Sequence, residues 1–131
     1  MERGVIMEKL PMYVLPKLPF GYKDLEPYIS EQQLTIHHTK HHQAYVTGAN
    51  GIIEKQYDAR TNNVDLDLKS TLKSLSFNIG GIVLHDYYWM SLAPASKVGK
   101  PTGKFAEALD QEFGSFERFK KEFKQISAYP E

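Results

Sequence analysis

The sequence predicts an all-α chain, in which a long antiparallel helical hairpin is followed by two short helices. Apolar residues recur at every third or fourth position from Leu34 onward and again from Leu68 onward, which is typical of two amphipathic helices. A polar, turn-forming stretch at residues 56–63 separates them. Two long helices joined by a short loop pair most simply as an antiparallel hairpin. Two phenylalanine-rich stripes at helical spacing follow in the last third of the chain.

The composition of the 131 residues limits the available chemistry. Sixteen basic residues balance sixteen acidic ones, so no net charge favours nucleic acid or an anionic membrane as a partner. Cysteine is absent, which excludes disulfides and thiolate ligands and leaves histidine and carboxylate to bind a metal. The sequence contains neither the apolar run of a signal peptide nor one of transmembrane length. We therefore expect a soluble cytoplasmic protein, with no nucleic acid and no membrane among its partners.

Residues 1–29 are predicted to form an extended N-terminal arm. Residues 1 to about 9 resemble a frayed leader, to which we assign no structural role. The prolines between Pro11 and Pro27 are too closely spaced for a helix. We expect the arm to lie over an apolar surface with these side chains: Tyr13, Leu15, Leu18, Phe20 and Tyr22.

Residues 30–92 are predicted to form the helical hairpin, and its first helix has a clear starting signal. Ser30 is a suitable N-cap residue, and Gln33 stands where it would complete a capping box. The apolar pattern then continues towards Lys55, so we expect a long helix that ends before the polar loop at residues 56–63.

The second helix of the hairpin is expected to start near Asp65 or Asp67 and to end near Met90. A pair of glycines, Gly80 and Gly81, lies in its middle. Glycine in a helix interior costs stability and leaves space beside the backbone. The pair therefore predicts that a neighbouring backbone or an aromatic ring approaches closely there.

Residues 93–131 are predicted to contain a linker and the first helices of a second domain. Gly114 is placed to end the first of two short helices, and Ser115 to cap the second. Their apolar stripes are Phe105, Leu109 and Phe113, and then Phe116, Phe119, Phe123 and Ile126. Because nothing downstream could cover these stripes, we expect this domain to be truncated.

Four of the five histidines lie within six residues, at His37, His38, His41 and His42. On a helix, His37, His41 and Tyr45 would share one face, with His38 and His42 on an adjacent stripe. A His-x-x-x-His pair can chelate a transition metal. A solvated, histidine-rich face explains the same spacing equally well. For Tyr45, spacing alone favours a core aromatic residue over a hydroxyl directed at a site.

The fifth histidine, His85, lies on an apolar stripe of the second helix. A histidine in such a position is more often buried and hydrogen-bonded than a metal ligand. Whether it meets His37 is a geometric possibility that spacing leaves open. His38 occupies the place of the glutamate in the zinc metalloprotease motif, which argues against that class of enzyme.

Four stretches of the chain carry a family resemblance in this order: Leu15–Tyr28, Ile36–Val46, Phe77–Trp89 and Phe113–Lys120. Together they resemble the iron/manganese superoxide dismutases of archaeal type. The resemblance implies an N-terminal helical hairpin and a C-terminal α/β domain. It also implies one iron or manganese ion per subunit, held between them by His, His, Asp, His and a solvent molecule.

Carried over by motif, the resemblance assigns roles to four of the residues already considered. His37 matches the first metal ligand and His85 the second. The residue matching His41 is not a ligand in that family but hydrogen-bonds across a dimer. The residue matching Tyr45 gates the substrate funnel and joins the proton-delivery network. The resemblance thus makes His41 and Tyr45 catalytic-site residues rather than a ligand and a core residue.

Two more positions take their interpretation from the same resemblance. Trp89 resembles the aromatic wall of the family's site, and Gly81 stands where many iron enzymes place a glutamine close to the metal. The third and fourth ligands are expected in an Asp-x-Trp-Glu-His-Ala-Tyr stretch. Trp89 is the sole tryptophan of this sequence, and its five histidines are already placed, so we expect the chain to lack that half of the site.

The resemblance implies conversion of superoxide to oxygen and hydrogen peroxide by redox cycling of a single iron or manganese ion. It further implies a homodimer or homotetramer. The alternative is a non-catalytic helical module that mediates an interaction or binds metal weakly.

Overall fold

The computed structural model describes Leu10 and residues 12–128, and all regular elements of that part are helical, as predicted. None of the helices described combines the length and apolar character needed to cross a membrane. The chain divides into two compact units, with the sequence boundary between Ser96 and Lys97. The predicted leader, residues 1 to about 9, lies outside the described residues. The limits at residues 29/30 and 92/93 stay predictions.

Three consecutive helical segments form the first half of the hairpin. They are α1 (Glu31–Ile36), a π-helical segment (His37–His42) and α2 (Gln43–Thr61). Ser30 is the N-cap residue, as predicted, because its Oγ accepts a hydrogen bond from the backbone N–H of Gln33 at 3.2 Å. One of the unpaired N–H groups at the helix start is thereby satisfied.

The predicted loop at residues 56–63 is wrong over most of its length, because α2 continues to Thr61. Gln56 and Ala59 are only 5% and 9% exposed, so both lie on the buried side of the helix. Packing of this last part of α2 outweighs the turn-forming composition that predicted a loop. The connection to the next helix is therefore confined to residues 62–67.

The second half of the hairpin is α3 (Leu68–Met90). It begins at one of the two predicted positions, Asp67, whose carboxylate accepts a hydrogen bond from the Ser70 backbone N–H at 3.2 Å. A carboxylate at a helix start also interacts favourably with the helix dipole. The predicted N-cap at Ser30 and the predicted start of the second helix near Asp67 are thus confirmed.

Contacts between α2 and α3 show that the two helices run antiparallel. Tyr45 lies against Gly81, while Gly48, three residues later on α2, lies against Asn78, three residues earlier on α3. A buried apolar cluster fills the space between them: Val46, Ala49 and Ile82.

The N-terminal arm packs on the hairpin through the apolar side chains predicted to do so. Tyr13 and Leu15 contact the cluster between α2 and α3. Leu18, Phe20 and Tyr22 contact a second cluster, which consists of Leu25, Leu34 and Trp89. The arm therefore covers both ends of the histidine-rich stretch with apolar surface.

Asn50 holds the arm against α2, and its removal should destabilise the hairpin. Its Oδ1 accepts from the Tyr13 N–H at 2.8 Å, and its Nδ2 donates to the Tyr13 carbonyl at 2.9 Å. Asn50→Ala leaves both backbone groups unpaired, so we expect a loss of about 1–3 kcal/mol in the free energy of unfolding, measured by urea denaturation. Asn62→Ala is the control, because Nδ2 of Asn62 donates to Asp58 within an exposed helix end. Equal losses would contradict this role of Asn50.

The second unit contains α4 (Gly103–Phe113) and α5 (Phe116–Ser127). Gly114 ends α4 with a φ of 77°, in the left-handed region that favours glycine. Ser115 caps α5 by accepting a hydrogen bond from the Arg118 N–H at 3.1 Å. Both signals are as predicted. The rings in contact at this turn are Phe113, Phe116, Phe119 and Phe123.

Candidate metal centre

The hairpin brings three of the five histidines together. Nε2 of His37 lies 3.0 Å from Nε2 of His85, across 48 residues of sequence. One ring nitrogen from each of His37, His41 and His85 lies within 4.8 Å of the other two. The fold therefore brings His85 into contact with His37. Spacing alone had left open whether the two residues meet.

The histidine-rich stretch is π-helical, which the sequence did not predict. The backbone N–H of Gln43 bonds to the carbonyl of His38, five residues earlier, as in a π turn. This stretch therefore departs from the predicted α-helical spacing. His37 and His41 remain neighbours, with ring centroids 5.3 Å apart, while His38 and His42 are buried on another side. Single π turns inside α-helices are often found at functional sites.

Hydrogen bonding determines which nitrogen His85 presents to His37. Its Nδ1 lies 2.7 Å from the carbonyl oxygen of Gly81, which can only accept. Nδ1 therefore carries the hydrogen, and Nε2 has the free lone pair. The hydrogen between the two histidines then belongs to Nε2 of His37. A metal at this point would replace that hydrogen and take both nitrogens as ligands.

The surroundings of His37 favour a neutral ring. Burial lowers its pKa below the usual 6.5, and the nearby His85 and His41 lower it further. Trp89, which is 2% exposed, contacts the His37 ring edge-on at a centroid distance of 4.9 Å, and Tyr88 lies 5.5 Å away. A neutral imidazole in largely aromatic surroundings is the form that binds a metal.

Tyr45 and His41 lie beside this pair. The Tyr45 ring is 5.1 Å from that of His41, 5.4 Å from that of His85 and 5.7 Å from that of Phe77. Tyr45 is half-buried, whereas His41 is exposed. Tyr45 thus belongs both to the apolar packing of the hairpin and to the edge of the histidine cluster. The sequence had presented these as alternatives, a core aromatic residue or a residue directed at a site.

The close approach predicted at the glycine pair is found at Gly81. A Cβ at Gly81 would overlap the Tyr45 ring, whereas a Cβ at Gly80 would have no neighbour within 4 Å. We expect Gly81→Ala to displace the Tyr45 ring and to lower the free energy of unfolding by about 1–3 kcal/mol. Gly80→Ala, the matched control in the same helix, should be neutral or stabilising by up to about 1 kcal/mol. Thermal unfolding of both variants measures the difference, and similar results for both would contradict the steric role.

His38 hydrogen-bonds to the N-terminal arm and is not one of the three clustered histidines. Its Nε2 donates to the carbonyl oxygen of Pro16 at 2.8 Å, so its Nδ1 accepts from the Tyr22 hydroxyl, also at 2.8 Å. Both ring nitrogens are thus occupied, and the side chain is buried. His38 is therefore a structural histidine that holds two points of the arm.

His42 is fully buried, and its Nδ1 accepts a hydrogen bond from Nε1 of Trp89 at 3.0 Å. Burial, followed by the positive charges of neighbouring histidines, lowers its pKa from 6.5 to about 4. Its Nε2 lies 3.7 Å from Oδ1 of Asp86, and neither atom has a hydrogen-bond partner among the described residues. Sequence reasoning did not select either residue; the available signal was an aspartate directly after His85.

The two histidines that face each other fit a first-row transition metal. Two nitrogens 3.0 Å apart have the spacing of adjacent ligands on one ion, with metal–nitrogen bonds of about 2.1 Å. Imidazole suits iron and other transition metals of this row. His41 offers a ring nitrogen within 4.8 Å of both, but its side chain is exposed and it lacks this close approach. His37 and His85 therefore form the better preorganised pair.

Comparisons with known proteins match most of this chain to one family. The α-hairpin domain of iron/manganese superoxide dismutases matches residues 12–93. An iron superoxide dismutase of Methanothermobacter marburgensis is 55% identical over 126 residues, which cover 95% of this chain and 62% of that protein. One from Pyrobaculum aerophilum is 47% identical over 88% of this chain and 55% of its own length.

A manganese/iron superoxide dismutase of Aeropyrum pernix is 39% identical over 87% of this chain and 54% of its own length. The chain thus spans between half and two thirds of the length of these curated relatives. The comparisons favour the dismutase prediction over the alternative of a non-catalytic helical module.

Proposed function

Because the chain belongs to the iron/manganese superoxide dismutases, we propose that the protein converts superoxide to oxygen and hydrogen peroxide. Two superoxide anions and two protons give one molecule of each product. The observation that carries the proposal is the 3.0 Å approach of the His37 and His85 Nε2 atoms, which prepares a two-imidazole site between the helices. The relatives named above are iron or manganese/iron enzymes, and we propose one such ion per subunit.

In this proposal, His37 and His85 supply two of the ligands. The resemblance places the other two, an aspartate and a histidine, in a motif that this sequence does not contain. When bound, the metal supplies one-electron redox chemistry, oxidising one superoxide and reducing the next. The hydrogen bond from His85 Nδ1 to Gly81 directs Nε2 at the site and makes Nε2 more basic, and so a stronger metal ligand.

The remaining site residues control access and protons. Trp89 and Tyr88 pack around His37 and limit water on that side. We assign to Tyr45, whose ring contacts those of His41 and His85, the roles that the resemblance implies, namely restricting entry to a small anion and passing a proton from its hydroxyl. The protein's contribution is then to orient ligands, exclude water and deliver protons, while the metal supplies the electron transfer.

We also propose that the working protein is a homodimer or homotetramer. His41 is exposed on the hairpin and so is available to hydrogen-bond to a second subunit, as the resemblance implies. Analytical ultracentrifugation distinguishes a monomer from these assemblies. The cytoplasmic location remains a prediction from the sequence.

Dismutation by the full-length protein tests the proposed function. The protein is loaded separately with iron and with manganese, and the decay of superoxide is followed after pulse radiolysis. At least one metal form should accelerate the decay in proportion to its metal content, and the metal-free form should not. If fully loaded protein of both kinds leaves the decay at its spontaneous rate, the proposed function is wrong.

A further inference from the structure

We propose that His42 is a positioning residue for His85 and that Asp86 holds His42 in place. The inference rests on the proposed function, in which His85 is a metal ligand. It assigns a role to two residues that the sequence, the family resemblance and the comparisons leave without one.

The hydrogen bond from Trp89 defines the protonation of His42. Indole Nε1–H can only donate, so Nδ1 of His42 carries a lone pair. A neutral His42 therefore has its hydrogen on Nε2, which is fully buried and requires an acceptor. The tautomer of this ring is thus determined by a neighbour on α3.

Asp86 provides the matching acceptor. Its Oδ1 is buried, lacks a partner among the described residues and lies 3.7 Å from Nε2 of His42. A typical N–H···O bond of about 2.9 Å is reached by a movement of about 0.8 Å. Such a bond satisfies two buried polar atoms at once, which favours its formation.

The His42 ring then acts on His85 by direct contact. The two rings are stacked, with centroids 5.0 Å apart and planes inclined by 20°. The hydrogen bond from Nδ1 to Gly81 restrains the His85 ring at one atom, and the stacked His42 ring restrains its face. His42 is itself held from two positions on α3, Asp86 and Trp89. The orientation in which His85 Nε2 faces His37 is therefore supported by a ring that touches neither metal nor substrate.

His38 provides a matched control for His42. Both are buried histidines of the same π-helical segment. His38, however, bonds to the arm at Tyr22 and Pro16, whereas His42 stacks on His85. Substituting either one removes a buried ring and its hydrogen bonds, but only the His42 change releases the His85 ring.

The test measures Mn²⁺ binding to the full-length protein, by competition with a chelator and by the zero-field splitting in its electron paramagnetic resonance spectrum. We expect His42→Gln to weaken Mn²⁺ binding by about 10–100-fold and to change the splitting. His38→Gln should leave the affinity within about threefold of the parent and the splitting unchanged. Asp86→Ala changes a side chain that is 41% exposed and should reproduce the His42→Gln effect. Asp86→Asn keeps an acceptor oxygen and should retain the parent values.

The outcomes separate this inference from the proposed function. If the parent binds Mn²⁺, His85→Ala abolishes binding, and neither His42→Gln nor Asp86→Ala alters affinity or splitting, the inference fails and the proposed function stands. Equal effects of His42→Gln and His38→Gln would also overturn it, since they would indicate general destabilisation. A parent that binds no Mn²⁺ and no iron overturns both.

Discussion

His85→Ala is expected to abolish stoichiometric binding of iron or manganese and, with it, dismutation of superoxide. Nε2 of His85 is one of two imidazole nitrogens that face each other at 3.0 Å, and its direction is set by the bond from Nδ1 to Gly81. Removing one ligand of the pair should lower metal affinity by more than about 100-fold, since changes outside the ligand set already cost 10–100-fold. Elemental analysis of the purified protein and the rate of superoxide decay measure the two effects.

His41→Ala is the matched control for His85→Ala. His41 belongs to the same cluster, but its side chain is exposed, and it is His37 and His85 whose Nε2 atoms face each other at 3.0 Å. We expect this variant to retain its metal, although its assembly into dimers should weaken. If His41→Ala loses the metal while His85→Ala retains it, the proposed ligand assignment is wrong.

In the metal-free protein, the free energy of unfolding is expected to fall by about 3 kcal/mol as the pH decreases from 6.5 to 4. His42 has a pKa of about 4 in the folded protein, against 6.5 for an ordinary histidine. Between these values the unfolded chain binds a proton that the folded chain does not, so acidification favours unfolding. Each pKa unit corresponds to about 1.4 kcal/mol, and the lowered pKa of His37 acts in the same direction.

Urea denaturation at a series of pH values measures this dependence. The decline should begin near pH 6.5, continue towards pH 4 and be smaller in His42→Gln, which cannot titrate at this position. A parent protein whose stability does not change between pH 6.5 and 4 would contradict the burial of a neutral His42. An unchanged slope in His42→Gln would assign the effect to other groups.

Local sequence signals predicted the starts of the helices well. Ser30, Asp67 and Ser115 each cap a helix by a hydrogen bond within three residues, so these sites depend little on the rest of the chain. The end of α2 was mispredicted for the opposite reason. Gln56 and Ala59 are helical because they are buried against other parts of the hairpin, which a local pattern does not contain.

The site likewise combines features that the sequence predicts with features that it does not. The sequence allowed His37 and His85 to be paired, given the predicted hairpin and the family resemblance. The π turn was not predicted, because the apolar pattern indicates a helix but not this local change in its backbone hydrogen bonding. The interaction of His42 with Asp86 likewise joins two helices, and an aspartate beside a histidine does not by itself indicate it.

The most direct test of the proposed site is anomalous X-ray diffraction from crystals of the full-length protein, with data collected at the absorption edge of its bound iron or manganese. We expect one anomalous peak per subunit, bonded to Nε2 of His37 and Nε2 of His85, with His41 outside the coordination sphere. A peak bonded to His41 in place of His85, or fully loaded crystals with no peak between the two helices, would contradict the assignment.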